Sequence, residues 1–188
     1  MIRSYLFVTM GAAALVVMGC RDTAPPVAAS AAQLHAGHAM ATGPVALSTG
    51  AERDVARLRA LTAKFHQFDA AVAAGWSAQI TECFEDATLG GMGFHYGNPD
   101  LIDGAVDVLE PELLLYEPQK NGNRRLVAVE YIVPFTAWTA SEPPQLYGQS
   151  FMRNEAFGIW ALHVWHERHN PRGMFTDWNP KVTCDNAP

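Results

Sequence analysis

The chain has few cysteines and few basic residues, and both shortages limit what it can do. Among 188 residues it has 3 cysteines, and 13 lysines and arginines stand against 19 acidic residues, for a formal net charge of −6. Because an acidic chain without a basic cluster is poorly suited to bind a phosphate backbone, we expect no nucleic-acid partner. The motifs G-x-S-x-G, G-x-x-x-x-G-K and H-E-x-x-H are also absent from the sequence. These absences remove the simplest enzyme assignments, but acid–base chemistry by Asp, Glu and His stays open.

The first twenty residues, MIRSYLFVTMGAAALVVMGC, predict export from a bacterial cell. Arg3 precedes an apolar stretch of signal-peptide length, which is too short to span a membrane comfortably and has no charged stop after it. The ending VMGC resembles the bacterial lipobox, in which the cysteine becomes lipid-modified and begins the mature chain. We therefore predict that residues 1–19 are a signal peptide and that Cys20 carries the lipid. An ordinary signal peptide cleaved nearby is the alternative.

This interpretation places the protein in the bacterial cell envelope, facing the periplasm or the cell exterior. Loss of the signal peptide removes Arg3, so the net charge moves from −6 to −7. Arg21 follows the cysteine, where an aspartate would favour the inner membrane in the sorting rule that this resembles, and we favour the outer membrane. The lipid is the only membrane contact that we expect.

Residues 20–48 are predicted to form a flexible tether between the membrane and a folded domain. Residues 21–47 hold nine alanines and three prolines but almost no bulky side chains, so they cannot bury enough surface to become ordered. Within the tether, His35, His38 and Met40 are ligand types for copper and form a weak secondary candidate metal site. The alternative is a polar patch in a linker.

Two further cysteines, Cys83 and Cys184, are predicted to form a disulfide. An exported protein folds in an oxidising compartment where such bonds persist, and the spacing is far too wide for a CxxC redox motif. In the chain-entropy model, closing a loop of about 100 residues stabilises a fold by about 4.7 kcal/mol.

Residues 49–188 are predicted to form one α+β domain with a single core. Thr49 and Glu52 fit a capping box, and the apolar residues that follow recur at helical spacing to a predicted end near Gly75. Two strand-like runs, residues 113–117 and 126–133, flank Asn121-Gly122, which is a strong hairpin signal. With a third run at residues 159–167, these features predict one long amphipathic helix packed on a small antiparallel sheet with long irregular loops.

Glu130 lies in the middle of the apolar run LVAVEYIV. If Asn121-Gly122 forms a two-residue turn, Glu130 faces Leu113 across the hairpin and all its neighbours on that face are apolar. A buried carboxylate without a partner costs several kcal/mol or takes up a proton. Since the hairpin itself offers no partner, a partner must come from elsewhere in the chain.

His163 and His95 are the candidate partners. His163 lies inside the apolar run IWALHVW, and His95 lies in the glycine-rich segment GGMGFHYG, where glycines allow close approach of a ligand. Together with Glu130 they would supply a site of two histidines and one carboxylate, which suits zinc or iron, with copper less favoured. The alternative is a buried Glu–His hydrogen bond that orders the core. We expect His166 and His169 to lie near a solvated rim.

The acidic residues between positions 100 and 112 are predicted to form a solvated loop, because they lack the ligand order of a calcium-binding loop.

Four segments, GMGFHYGNP, LVAVEYIVP, LHVW and NPRGMFTDWNPKVTC, resemble those of an uncharacterised family of exported bacterial proteins. The resemblance covers about residues 75–184 and includes His95, Glu130 and His163. It implies secretion and a shared domain, but it implies no chemistry.

Three functions follow from these features. The first is an envelope lipoprotein whose domain binds a metal ion or a small ligand at the His/Glu cluster. The second is a metal-dependent enzyme, of oxygenase or hydrolase type, that uses the same residues. The third is a structural envelope protein without a ligand.

Overall fold

A computed structural model describes residues 46–188. The predicted signal peptide, the lipidation site Cys20 and the tether residues His35, His38 and Met40 lie outside the described residues. None of the helices in residues 46–188 combines the length and the apolar character that a membrane crossing requires.

The first helix, α1, spans Thr49–Thr62. Its N-cap is Ser48 rather than the predicted Thr49: the Ser48 hydroxyl accepts a hydrogen bond from the Ala51 backbone N–H at 3.2 Å. Leu47, just before the helix, also packs against the core. The serine satisfies one of the N–H groups that a helix start leaves without a partner.

The helix predicted to continue to Gly75 is interrupted. A 3-10 helix, Ala63–His66, follows α1, the backbone is extended at Gln67, and a second helix, α2, spans Phe68–Ala73. The Tyr116 hydroxyl donates to the Phe65 carbonyl at 2.8 Å, which satisfies one acceptor near the break. Aromatic side chains on both sides of the break are packed in the core, so the apolar spacing of the sequence carries no sign of it.

Nine strands are described. They are β1 (Ala78–Gln79), β2 (Phe84–Asp86), β3 (Gly90–Gly97), β4 (Leu113–Pro118), β5 (Arg124–Pro134), β6 (Gln145–Leu146), β7 (Gln149–Ser150), β8 (Met152–Asn154) and β9 (Ile159–Val164). The main sheet has the order β1-β3-β4-β5-β9-β8, with β2 also paired to β3, while β6 and β7 form a separate ribbon. A short 3-10 helix, Pro99–Leu101, follows β3. All pairs are antiparallel, which confirms the α+β class and the antiparallel sheet.

The β4–β5 hairpin reaches the predicted register at Glu130 by a different route. Asn121 does not adopt the positive φ that a two-residue type I′ turn requires, and the loop is closed one residue earlier by a hydrogen bond from Gln119 N–H to the Asn123 carbonyl. A bulge between Leu115 and Tyr116 then shifts the register back. The two one-residue differences cancel, so Glu130 pairs with Leu113 as predicted.

The two faces of the sheet are covered differently. One face packs against the helices through side chains that include Phe94, Tyr96, Leu114, Tyr116, Val129, Tyr131, Leu162 and Val164. The opposite face carries a smaller core that includes Leu113, Leu115, Ala128, Ile132, Ala161 and Trp165 and is joined by Val182. Val182 belongs to residues 176–184, which we call the strap, and this segment therefore lies over the face that carries Glu130.

The strap is held against β3 by close backbone contacts. Gly91 and Asn179 exchange backbone hydrogen bonds at 3.0 and 3.1 Å, and the Gly91 N–H also lies 2.8 Å from the Val182 carbonyl oxygen. A Cβ atom at Gly91 would lie 2.7 Å from that oxygen, so only glycine allows this approach. The strap ends at Cys184, whose predicted disulfide with Cys83 is confirmed, with a Cα–Cα distance of 5.8 Å.

Candidate metal centre

Three strands of the sheet place His95, Glu130 and His163 on the strap-covered face. Glu130 of β5 lies directly opposite His163 of β9. His95 of β3 lies opposite Leu115 of β4, which in turn pairs with a residue two positions before Glu130. Because alternate residues of a strand point to the same face, all three side chains project to one side. The structure thus brings together the three residues that the sequence singled out.

The three side chains meet around the Glu130 carboxylate. His95 Nε2 lies 3.5 Å from one carboxylate oxygen and His163 Nδ1 lies 3.8 Å from the other. One potential ligand atom from each residue lies within 4.8 Å of the other two. The exposed fractions are 2% for His95, 3% for Glu130 and 1% for His163. The cluster is therefore a buried group of polar atoms in an otherwise apolar face.

His95 is oriented by a hydroxyl group. Its Nδ1 lies 2.9 Å from Thr81 Oγ1, in the segment between β1 and β2, and this contact leaves Nε2 facing Glu130. Phe84, at the start of β2, lies beside the imidazole with ring centroids 6.0 Å apart. The segment before β2 thus fixes which nitrogen of His95 points into the cluster.

His163 is oriented by a carboxylate from the strap. Its Nδ1 lies 3.2 Å from Asp177 Oδ1, and the indole of Trp165 lies nearly parallel to its ring at 14°. Sequence reasoning missed Asp177, which occurs in an irregular segment without any periodic pattern. A single acidic residue among aromatic residues and prolines does not by itself indicate a site. Only the position of Asp177 within the block NPRGMFTDWNPKVTC could have suggested a role.

The charges around His163 change its protonation. Burial by itself lowers the pKa of His163, but the carboxylates of Glu130 and Asp177 outweigh this effect and raise the pKa above its ordinary value. The cluster therefore contains two acidic groups that favour a cation at this position, either a proton or a metal ion.

A second buried carboxyl, Glu112, was also missed. It is the last acid of the segment predicted to form a solvated loop, and that prediction is wrong for Glu112, since its side chain accepts a hydrogen bond from the Ile132 N–H at 3.0 Å. Burial, with a smaller effect from the nearby charges of Asp103 and Glu130, raises the pKa of Glu112 to about 8. The other four acids of the segment are exposed, as predicted: Asp100, Asp103, Asp107 and Glu110.

The remaining histidines of β9 and its following turn do not join the cluster. His169 is exposed as predicted, but the prediction for His166 is wrong. His166 follows the end of β9 at Val164 and lies on the helix-covered side of the sheet, as Leu162 and Val164 do, where its Nε2 lies 2.9 Å from Thr62 Oγ1 of α1. His166 is therefore buried against α1, where it makes a polar contact, and does not face solvent.

A cavity of about 610 Å³ lies beside the cluster. Trp165, Thr176 and Phe175 are among its walls, whereas His95, Glu130 and His163 are not. Trp165 contributes to both places, since it also stacks on His163. The cluster is consequently closed off from this cavity by protein atoms.

No known protein family, curated protein or solved structure matches the chain. The resemblance to an exported bacterial family therefore stays a prediction.

Proposed function

We propose that the chain is a lipid-anchored protein of the bacterial cell envelope whose folded domain binds a divalent transition metal, zinc or iron. The metal ligands are His95, Glu130 and His163. The observation that carries this proposal is the convergence of two imidazoles on opposite oxygens of one buried carboxylate. Nitrogen and carboxylate donors of this number suit both metals.

The spacing of the donor atoms supports a metal ion. Two atoms bound to one tetrahedral zinc ion at about 2.0–2.1 Å lie roughly 3.3 Å apart. The distance between His95 Nε2 and the Glu130 carboxylate, 3.5 Å, is close to that separation, and one potential ligand atom from each of the three residues lies within 4.8 Å of the other two. The side chains would have to move inward for all three to bind one ion.

The contacts behind the ligands support the same function. A metal-bound histidine almost always donates its other ring N–H to a carboxylate, carbonyl or similar acceptor, which fixes the tautomer. Both histidines have such an acceptor at Nδ1: the Thr81 hydroxyl for His95 and the Asp177 carboxylate for His163. In both cases this arrangement assigns Nε2 to the metal.

Burial favours a metal-binding module over an enzyme. An oxygenase or hydrolase needs an open coordination position that substrate can reach. The three ligands are almost fully buried under the strap and do not line the neighbouring cavity. The alternative enzyme function would require the strap to move for each substrate molecule, whereas a bound metal ion can stay under it.

A structural protein without a ligand is the competing function. In that case a protonated His163 would balance Glu130 and Asp177, which its raised pKa permits. The two functions differ in the metal content of the purified protein. If a proton on His163 balances the carboxylates, the protein contains no metal.

Elemental analysis of the purified full chain tests the proposal. We expect about one zinc or iron ion per chain, and substitution His95→Ala should reduce this by at least about tenfold because it removes a ligand. The matched control is His169→Ala, which removes an exposed histidine away from the cluster and should leave the metal content unchanged. Folded wild-type protein that retains no metal after incubation with zinc or iron(II) would contradict the proposal.

A further inference from the structure

We propose that the Cys83–Cys184 disulfide regulates this site: the closed bond retains the metal, and its reduction releases the metal. This inference rests on the proposed metal-binding function. It follows from where the two cysteines lie relative to the residues that orient His95 and His163.

Cys83 belongs to the segment that orients His95. Thr81, two residues earlier, contacts His95 Nδ1 at 2.9 Å, and Phe84, one residue later, packs beside the imidazole. This segment has little regular structure to hold it, since β1 has two residues and β2 has three with an irregular register against β3. The position of Thr81 therefore depends on what fastens Cys83.

Cys184 belongs to the strap that orients His163. Asp177, seven residues earlier, contacts His163 Nδ1 at 3.2 Å. The strap contains no helix or strand. It meets β3 through the isolated bridge between Gly91 and Asn179 and through the Val182 carbonyl, and the Thr183 N–H donates to Glu117 of β4 at 3.3 Å. Near its end, the Cys184 N–H donates to Glu85 of β2 at 2.6 Å, so the same two segments also meet through a side chain.

The disulfide thus joins the two segments that orient the histidines. With the bond closed, neither segment can leave the face of the sheet without moving the other. With the bond broken, the strap keeps its hydrogen bonds to β3 and its buried Val182, but its covalent link to Cys83 is lost, and we expect the contacts to Thr81 and Asp177 to loosen. Since partners of this kind typically contribute 10–100-fold to metal affinity, their loss weakens the site although all three ligands remain.

Reduction of the disulfide does not change the oxidation state of the metal. A dithiol reductant of the cell envelope transfers two electrons and two protons to the disulfide, so that the S–S bond breaks, two cysteine thiols form and the reductant becomes a disulfide. Both cysteines are half-buried rather than enclosed, which leaves the bond within reach of such a reductant. The metal keeps its charge and leaves as the divalent ion.

The experiment measures zinc release from the zinc-loaded full chain to a chromogenic chelator. A trialkylphosphine breaks the disulfide, with water supplying the oxygen of the phosphine oxide and the protons of the two thiols. We expect the release rate to rise by at least about tenfold on reduction. The double variant Cys83→Ser, Cys184→Ser should release zinc at this faster rate with or without phosphine, because it lacks both the bond and any new thiol ligand.

Asp177→Asn tests the orientation of His163 by Asp177 in a protein whose disulfide is intact. It should accelerate release and lower zinc affinity, because the amide is a weaker partner than the carboxylate for the His163 N–H. Exposed Asp185→Asn, just past the strap, is the matched control and should change neither quantity.

Three outcomes would overturn the inference. Fully reduced protein that releases zinc at the oxidised rate would show that the bond does not control the site. Loss of the far-ultraviolet circular dichroism signal on reduction would show that the bond holds the whole fold rather than the site. Failure of the oxidised chain to bind zinc or iron(II) would remove the metal function itself, and this inference with it.

Discussion

His166 shows how a single buried residue couples this fold to pH. Burial, with smaller effects from the positive charge of Arg59 and from nearby His66, lowers the pKa of His166 to about 4, although the hydrogen bond to the Val164 carbonyl opposes the shift. Glu167, with an oxygen 3.6 Å from the ring, is the acidic group that also faces it. Folded His166 is therefore neutral at pH values where the unfolded chain, with an ordinary pKa near 6.5, binds a proton.

The low pKa of His166 should make the folded protein less stable at acidic pH. Because the folded pKa is the lower one, the contribution to stability is fully present above about pH 6.5 and is lost as the pH falls towards 4, at about 1.4 kcal/mol per pH unit. Between pH 7 and pH 5, wild type should lose about 2 kcal/mol more unfolding free energy than His166→Gln. Urea unfolding at both pH values measures this, with exposed His169→Gln as control. Equal losses in wild type and His166→Gln would contradict the prediction.

At the scale of elements, the contact between β3 and the strap helps to cover the candidate metal centre. Gly91→Ala places a Cβ atom 2.7 Å from the Val182 carbonyl oxygen, in the middle of that contact. The backbone must move to make room, and we expect a cost of about 1–3 kcal/mol in unfolding free energy, together with weaker metal binding. Chemical unfolding and a zinc titration measure the two effects.

Gly50→Ala is the control for this prediction. Gly50 lies in the first turn of α1, where a Cβ atom would have only an ordinary contact with Ser48 Oγ at 3.7 Å. Alanine is the better helix former by about 1 kcal/mol, so this variant should be as stable as wild type or more stable. If Gly91→Ala behaves in the same way, the close fit of the strap is not needed for the site.

At the scale of the whole molecule, the proposed lipid on Cys20 would hold the folded domain at a membrane. Cys20→Ser should abolish membrane association and the acyl mass of the mature protein, because the Cys20 sulfur is the atom that would carry the lipid. His38→Ala, in the same N-terminal segment, should affect neither. Membrane fractionation and intact-mass spectrometry of protein from cells measure both. Wild-type protein without an acyl group and without membrane association would contradict the prediction.

Several features of this protein could be predicted from its sequence. Each depends on the residues of one short segment or on the chemistry of a residue type, and not on which segments pack together. Strand-like runs around Glu130 and His163 identified β5 and β9, and a carboxylate or an imidazole inside each run marked it as unusual. The pairing of the only cysteines expected in the mature domain was also predictable. Each of these features can be recognised from the residue itself and its immediate neighbours in the sequence.

Other features were decided only by tertiary structure. The break at Gln67, the burial of His166 and Glu112, and the position of Asp177 all depend on which segments pack together. A polar residue in an irregular segment has the same local pattern whether it faces solvent or a histidine, because the desolvation and charge that distinguish the two cases come from residues far away in the sequence. The sequence by itself therefore determined the three candidate ligands, whereas the strap, its disulfide attachment and the contacts that orient the histidines required the folded chain.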